Sequence, residues 1–405
     1  MATLTDDRTS TVDPALAQEA QIPLQTFEIP SFPPEAQGLR ALILTCDIKT
    51  DEYTELLKTH VVETPSLPKC ITSLTLELFS LGYPPGFLTT LAKALPNVKE
   101  LVVYSQMLGG ITKDSEADAI QAFQEWKELR SLHLLDVFAK PHFFQRIGEG
   151  LRKRETGLMF LEINYTFRHE DENFLTRVPA GELPLLITPG LITCALNLAP
   201  SEETQDEQDP SNLSVKGDKS EIGKDGVMAF NKTLSPDLVE ELTKEEKPKD
   251  LRMLNITLYT IDVDQLIQIL KYHKALVMLS ATLHCEPTEG WKQKLLEALA
   301  LCPELEQVEI VGNPSLEFAM LMSNPKRRPE TISKTFPSEA DMTMLSISCP
   351  KLKSMAANIL RTTYIGTASW KKVGESWKGG IQKPDSSDES KDSMPGPGSQ
   401  IYASA

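Results

Sequence analysis

Leu129-Arg130-Ser131-Leu132-His133-Leu134 is the stretch on which the fold turns. Its large apolar residues stand at positions one, four and six. On a strand, side chains alternate between two faces, so positions four and six point the same way and position one anchors the strand's start. The same spacing occurs upstream at Leu39/Leu42/Leu44, Ile71/Leu74/Leu76 and Val98/Leu101/Val103, and downstream at Leu158/Leu161/Ile163. Beyond a polar interruption it resumes at Leu251/Leu254/Ile256, Leu276/Leu279/Ala281 and Leu305/Val308/Ile310. Successive clean registers lie roughly 25–32 residues apart, a length that holds one strand and one returning helix.

Between registers the apolar spacing becomes helical. Phe87, Leu88, Leu91 and Leu95 share a face that stops at Pro96. Ser115 and Asp118 have capping-box spacing ahead of Ile120 and Phe123, and Phe143, Phe144, Ile147 and Leu151 repeat the theme. Further on, Asp262 and Gln265 predict a capped start for a helix carrying Leu266, Ile269 and Leu270. Trp291, Leu295, Leu296 and Leu299 predict another, closed by Pro303. Ser235-Pro236-Asp237 reads as an N-cap followed by proline at the first helical position. A strand–turn–helix unit of this size cannot bury its own apolar face, so the units must stack.

The expected architecture is therefore an α/β solenoid, with a curved parallel sheet on the concave side and helices on the convex side. Its expected organisation is a disordered N-terminal segment over 1–37, a first block of repeats over 38–199, and an acidic disordered insertion over 200–233. A second block with a C-terminal cap follows over 234–377, and a disordered tail over 378–405. The insertion is rich in Ser, Glu, Asp, Gln and Gly, which cannot bury enough apolar surface to order a chain. It reads as an excursion within one array, with a two-domain split as the alternative.

The phrases Leu95-Pro96-Asn97-Val98-Lys99-Glu100-Leu101, Cys302-Pro303-Glu304-Leu305-Glu306-Gln307-Val308 and Cys349-Pro350-Lys351-Leu352 join helix ends to strands. In these junctions the chain resembles the leucine-rich-repeat superfamily, and in particular the irregular repeats of fungal F-box/leucine-rich-repeat proteins, over roughly residues 38–358. That resemblance implies a protein-binding solenoid. It departs from the family in two places. The family's turn-capping asparagine matches only Asn313, while Phe79, Gln106, Val137, Thr166, Tyr259 and His284 stand at the same offset elsewhere. Residues 1–37 are also too short and polar to form an F-box.

Composition narrows the function further. The chain has 405 residues, is 40% hydrophobic and carries a formal net charge of −16 with a pI near 5.0. Nucleic-acid binding needs clustered Lys and Arg, so no nucleic-acid partner is expected; Lys326-Arg327-Arg328 reads as a solvated basic run. No secretory signal is read, because Met1 to Glu19 is polar and acidic, and no membrane span, because Pro184, Pro189 and Gly190 break the longest apolar stretch, 183–199. The compartment expected is the cytoplasm, with the nucleus as the alternative. The six cysteines form no Cys-x-x-Cys pair and read as free thiols. The six histidines lack ligand spacing, and the acid-rich run His169-Glu170-Asp171-Glu172 lacks a glycine-shaped loop. No metal or other cofactor is expected. No nucleophile elbow, phosphate-cradling loop or His-Glu-x-x-His motif is present, so no catalytic residue is assigned and the chain reads as a non-enzyme.

Function then rests on the strand face opposite the core, at positions three, five and seven. The candidate partner-binding residues are Glu77, Glu100, Tyr104, His133, Phe160, Glu162, Asn255 and Glu309, with Ser131 alongside. Aromatic anchors among carboxylates suit a protein partner with a basic or apolar face. The expectation is a monomeric interaction scaffold; the alternative is the substrate-recognition subunit of a ubiquitin ligase lacking a standard F-box.

Overall fold

The computed structural model describes residues 18–33, 36–46, 48–59, 63, 65–77, 81–104, 106–166, 178–199, 234–244, 250–322, 324, 326–359 and 368–381. The expected disordered insertion, the His169–Glu172 run and most of the expected tail lie outside these residues. Strands alternate with helices in an α/β arrangement, and the sheet is mostly parallel. Among the described residues, two compact units divide the chain. Unit 1 runs to Tyr165 and takes in 178–191; unit 2 runs from Ile192. The division falls ahead of residues 200–233 and not at them.

Unit 1 carries six parallel strands: β1 (Glu19–Leu24), β2 (Ala41–Cys46), β3 (Ser73–Glu77), β4 (Glu100–Tyr104), β5 (Ser131–Leu135) and β6 (Phe160–Thr166). The register aligns position four of every repeat, pairing Leu42 with Leu74, Leu74 with Leu101, Leu101 with Leu132 and Leu132 with Leu161. Those residues, and their partners at positions one and six, are all buried. Each new strand is fastened where it starts. Thr72 and Ser73 both donate to the Arg40 carbonyl, Lys99 and Glu100 to that of Thr72, Arg130 and Ser131 to that of Lys99, and Met159 and Phe160 to that of Arg130. One strand ahead of the first expected register, β1 corrects the N-terminal boundary: Ala20, Ile22 and Leu24 alternate inward and order a stretch of the segment expected to be disordered.

The helices of unit 1 are α1 (Thr50–Thr59), α2 (Phe87–Ala94), α3 (Lys113–Glu125) and α4 (Phe143–Arg152). The apolar faces of α2, α3 and α4 are buried, which places the helix layer on the position-four side of the sheet. Capping runs from one repeat to the previous one. The box at the start of α3 is formed by Thr112 and Ser115, one step earlier than expected. Asp118 instead accepts from the amides of Leu88 and Thr89, at 2.9 and 3.2 Å, satisfying orphan donors of α2, whose own cap residue Gly86 has no side chain. Glu182 does the same for α4 through the amides of His142 and Gln145. Gln106, standing where the family places asparagine, donates to the Leu76 carbonyl of the preceding strand at 3.2 Å.

Unit 2 continues the pattern with β7 (Thr193–Ala199), β8 (Met253–Ile261), β9 (Met278–Cys285), β10 (Gln307–Pro314) and β11 (Ser354–Ile359), all parallel. Position four again aligns, through Cys194, Leu254, Leu279, Val308 and Met355. Between the strands lie α5 (Ser235–Thr243), α6 (Val263–Tyr272), α7 (Glu289–Leu299), α8 (Leu316–Met322), α9 (Arg328–Thr335) and α10 (Glu339–Ser348). The expected box of Asp262 and Gln265 opens α6, and Ser338 with Asp341 opens α10. In α5 the cap residue is Leu234, so Ser235 is the first helical residue and not the cap. An antiparallel hairpin, β12 (Ala368–Val373) and β13 (Ser376–Ile381), closes the unit and extends order into the expected tail. Trp370 and Trp377 tie it down, donating to the Pro337 carbonyl at 3.0 Å and the Ser346 hydroxyl at 2.8 Å. At Gly379, opposite Trp370, φ is +142° and an added Cβ would lie 1.9 Å from the Ser369 carbonyl oxygen, so only glycine fits.

Cys194, Cys285, Cys302 and Cys349 are buried, and Cys46 and Cys70 are half-buried. No described helix is long and apolar enough to cross a membrane.

Candidate functional site

Because the helices of unit 1 cover one side of the sheet, the other parity of each strand faces away from them. The register sets these side chains in three rows. The first reads Glu19, Ala41, Ser73, Glu100, Ser131 and Phe160; the second Gln21, Ile43, Thr75, Val102, His133 and Glu162. In the third, Pro23 pairs with Thr45 and Thr45 with Glu77, while Tyr104 pairs with Leu135 and Leu135 with Asn164. These positions hold four glutamates and neither lysine nor arginine. Cations occur only along the strand starts, at Arg40, Lys99 and Arg130. The face is therefore electronegative with hydroxyl and apolar side chains between the carboxylates.

Six expected partner-binding residues come together here. Tyr104 and Phe160 are 37% and 39% exposed, which is high for side chains whose apolar area normally drives burial. Burial on one flank, with the carboxylates of Glu77 and Glu162, pushes the Tyr104 hydroxyl above its ordinary pKa. It remains a neutral donor with an apolar ring. Glu77 is exposed at the end of β3. Glu162 departs from the expectation of an exposed carboxylate, because it is only 7% exposed.

Glu162 belongs to a hydrogen-bonded row across two strands. His133 Nδ1 lies 2.7 Å from Glu162 Oε2, and His133 Nε2 lies 2.7 Å from Ser131 Oγ. Glu100 Oε1 approaches Nε2 to 3.8 Å from the β4 side. Ser131 and His133 stand two apart on β5 and so share a face, and the register sets Glu162 directly beside His133. Sequence reading placed all three on one surface but did not connect them, since the connection depends on pairing residues 29 positions apart.

The two expected residues of unit 2 belong to a different setting. Asn255 is 6% exposed and is not available at a surface. Its side-chain oxygen accepts from the backbone amide of Thr257 at 3.1 Å and from the Thr257 hydroxyl at 2.8 Å, and that hydroxyl also meets Asn197. The burial extends along β8, whose residues from Leu254 to Ile261 are all buried and whose pairing with β9 shifts register between Ile256 and Thr260. Glu309 on β10 is half-buried; its burial pushes the carboxyl pKa up, and the Ser280 hydroxyl, donating at 3.5 Å, partly opposes that shift.

Among the described residues no group of His, Cys, Asp and Glu is arranged to hold a metal ion. The chain matches no protein-family model and no curated protein.

Proposed function

We propose that the chain is a protein-interaction module of leucine-rich-repeat type, and that the open sheet face of unit 1 holds a partner segment rich in lysine or arginine. The observation that carries this reading is the composition of the three rows, where exposed Tyr104 and Phe160 stand among Glu19, Glu77 and Glu100 without an opposing lysine or arginine in the rows. Aromatic side chains anchor a partner at low entropic cost and accept cations on their faces. The carboxylates steer and orient it.

Size sets the kind of partner. Six strands spaced about 4.8 Å apart, read over about five residues, form a face of roughly 24 by 17 Å, or about 400 Å². A face of this plan size accommodates a short extended segment laid across the strands. Selection from a random peptide library displayed on phage tests the reading. Binders enriched in Lys and Arg, with affinity falling steeply as salt is raised, are expected. Enrichment of acidic or purely apolar peptides would contradict it.

A further inference from the structure

We infer that Ser131 is an activated nucleophile, poised by His133 and Glu162 to accept the acyl group of an activated carboxylic ester that reaches the open face. This goes beyond peptide binding and departs from the non-catalytic expectation of the sequence. The geometry supplies two of the contacts that nucleophilic catalysis by serine requires, a base within hydrogen-bond reach of the hydroxyl and a group that orients the base. Both distances are 2.7 Å.

The hydrogen bonds also set the direction of proton flow. An ionised carboxylate can only accept, so Glu162 requires the proton on His133 Nδ1. In a neutral imidazole this leaves Nε2 as the acceptor, and the only way Ser131 Oγ can satisfy it at 2.7 Å is to donate its hydroxyl proton. As Oγ bonds to the ester's carbonyl carbon, that proton passes to Nε2. The resulting imidazolium lies between the carboxylates of Glu162 and Glu100. The proton then goes to the departing alkoxide, the carbon–oxygen bond to it breaks, and an acyl-serine remains. A water molecule gives one proton to Nε2 as its oxygen attacks the acyl carbon; the carboxylic acid leaves and Ser131 recovers its proton.

The surroundings limit the substrate class. The Ser131 amide is committed to the Lys99 carbonyl at 2.9 Å, as regular strand pairing demands. A serine set within a strand therefore has no spare amide of its own for the oxyanion that an amide or an alkyl ester would develop. Esters with good leaving groups need less of that stabilisation, so they define the class.

A fluorophosphonate probe reports the same nucleophile without turnover. Incubation of the full chain followed by peptide mass mapping is expected to place one adduct on Ser131, absent from Ser131→Ala. His133→Gly should slow labelling by about 100-fold or more, the usual contribution of a general base, and added imidazole should restore part of the rate. Should His133→Gly fail to unfold cooperatively, His133→Gln, whose amide can still donate to Glu162, should show the same loss. Absence of an adduct on the wild-type chain would overturn the proposal. So would an adduct at another residue, or equal labelling of the folded His133 variant.

Discussion

The same repeat is used in two ways in this molecule. In unit 1 the strand face turned from the helices is open, and its side chains from β3 to β6 are half-exposed or exposed apart from Glu162. In unit 2, Thr193, Asn197, Asn255 and Thr257 on β7 and β8 are buried; Asn197, Asn255 and Thr257 bond to one another, and the Thr257 hydroxyl also accepts from the Leu198 amide. The core-facing positions are alike in both, so the difference comes from one parity of residues alone. Position four builds the fold in both units, and the opposite parity is where they differ in exposure.

The largest expected effect tests the shared half of that comparison. Leu132→Ala in unit 1 and Leu254→Ala in unit 2 remove equivalent, fully buried side chains and should each cost about 2–5 kcal/mol in urea denaturation. A loss well under 1 kcal/mol at either position would mean that the repeats are not equivalent. The next effect tests the contrast. Asn255→Ala leaves the Thr257 amide short of an acceptor in a buried setting and should cost about 1–3 kcal/mol. Glu77→Ala, on the open face, should change stability by less than about 0.5 kcal/mol. Equal costs would erase the distinction between the two faces. Smaller still in stability is Tyr104→Ala with Phe160→Ala, which should weaken capture of a cationic peptide while shifting thermal unfolding little. A large shift would mark these rings as core.

The smallest effect concerns Glu309 and its sign. Burial raises its folded pKa above the ordinary carboxylate value, so the fold favours the protonated form. The stability this contributes is present below the ordinary carboxylate range and is lost as pH rises through the folded value. Glu309→Gln keeps the neutral shape at every pH. It should be the more stable chain at pH 7, with the advantage fading in acid; an advantage that grows in acid would contradict the burial argument.

Much of the fold is legible in the chain because a period of two and a repeat length reinforce each other. Every apolar register read from the sequence is buried, and the boxes at Asp262/Gln265 and Ser338/Asp341 form as their spacing implies. The register at Leu191, Cys194 and Leu196 is hidden by a cysteine at position four, and β1 by the polar context around Ala20, Ile22 and Leu24. Asp118 shows a different limit. Capping-box spacing is a local signal, and this carboxylate serves the helix of the previous repeat, 30 residues away. The site is less legible than the fold for the same reason. Alternation puts His133 and Glu162 on a face, but only the pairing of β5 with β6 joins them, and nothing in the alternation of β8 reveals that Asn255 is covered.

The central claim is that the acidic, aromatic-bearing face of unit 1 holds a cationic segment. Fluorescence anisotropy with a selected Lys/Arg peptide compares wild type, Glu77→Lys with Glu100→Lys on the open face, and Glu125→Lys with Glu149→Lys on α3 and α4. Each pair changes the net charge equally, so long-range attraction falls alike and only position differs. The account predicts at least a tenfold loss of affinity for the open-face pair, about 1.4 kcal/mol, and under threefold for the helix pair. Equal losses in the two variants would contradict it.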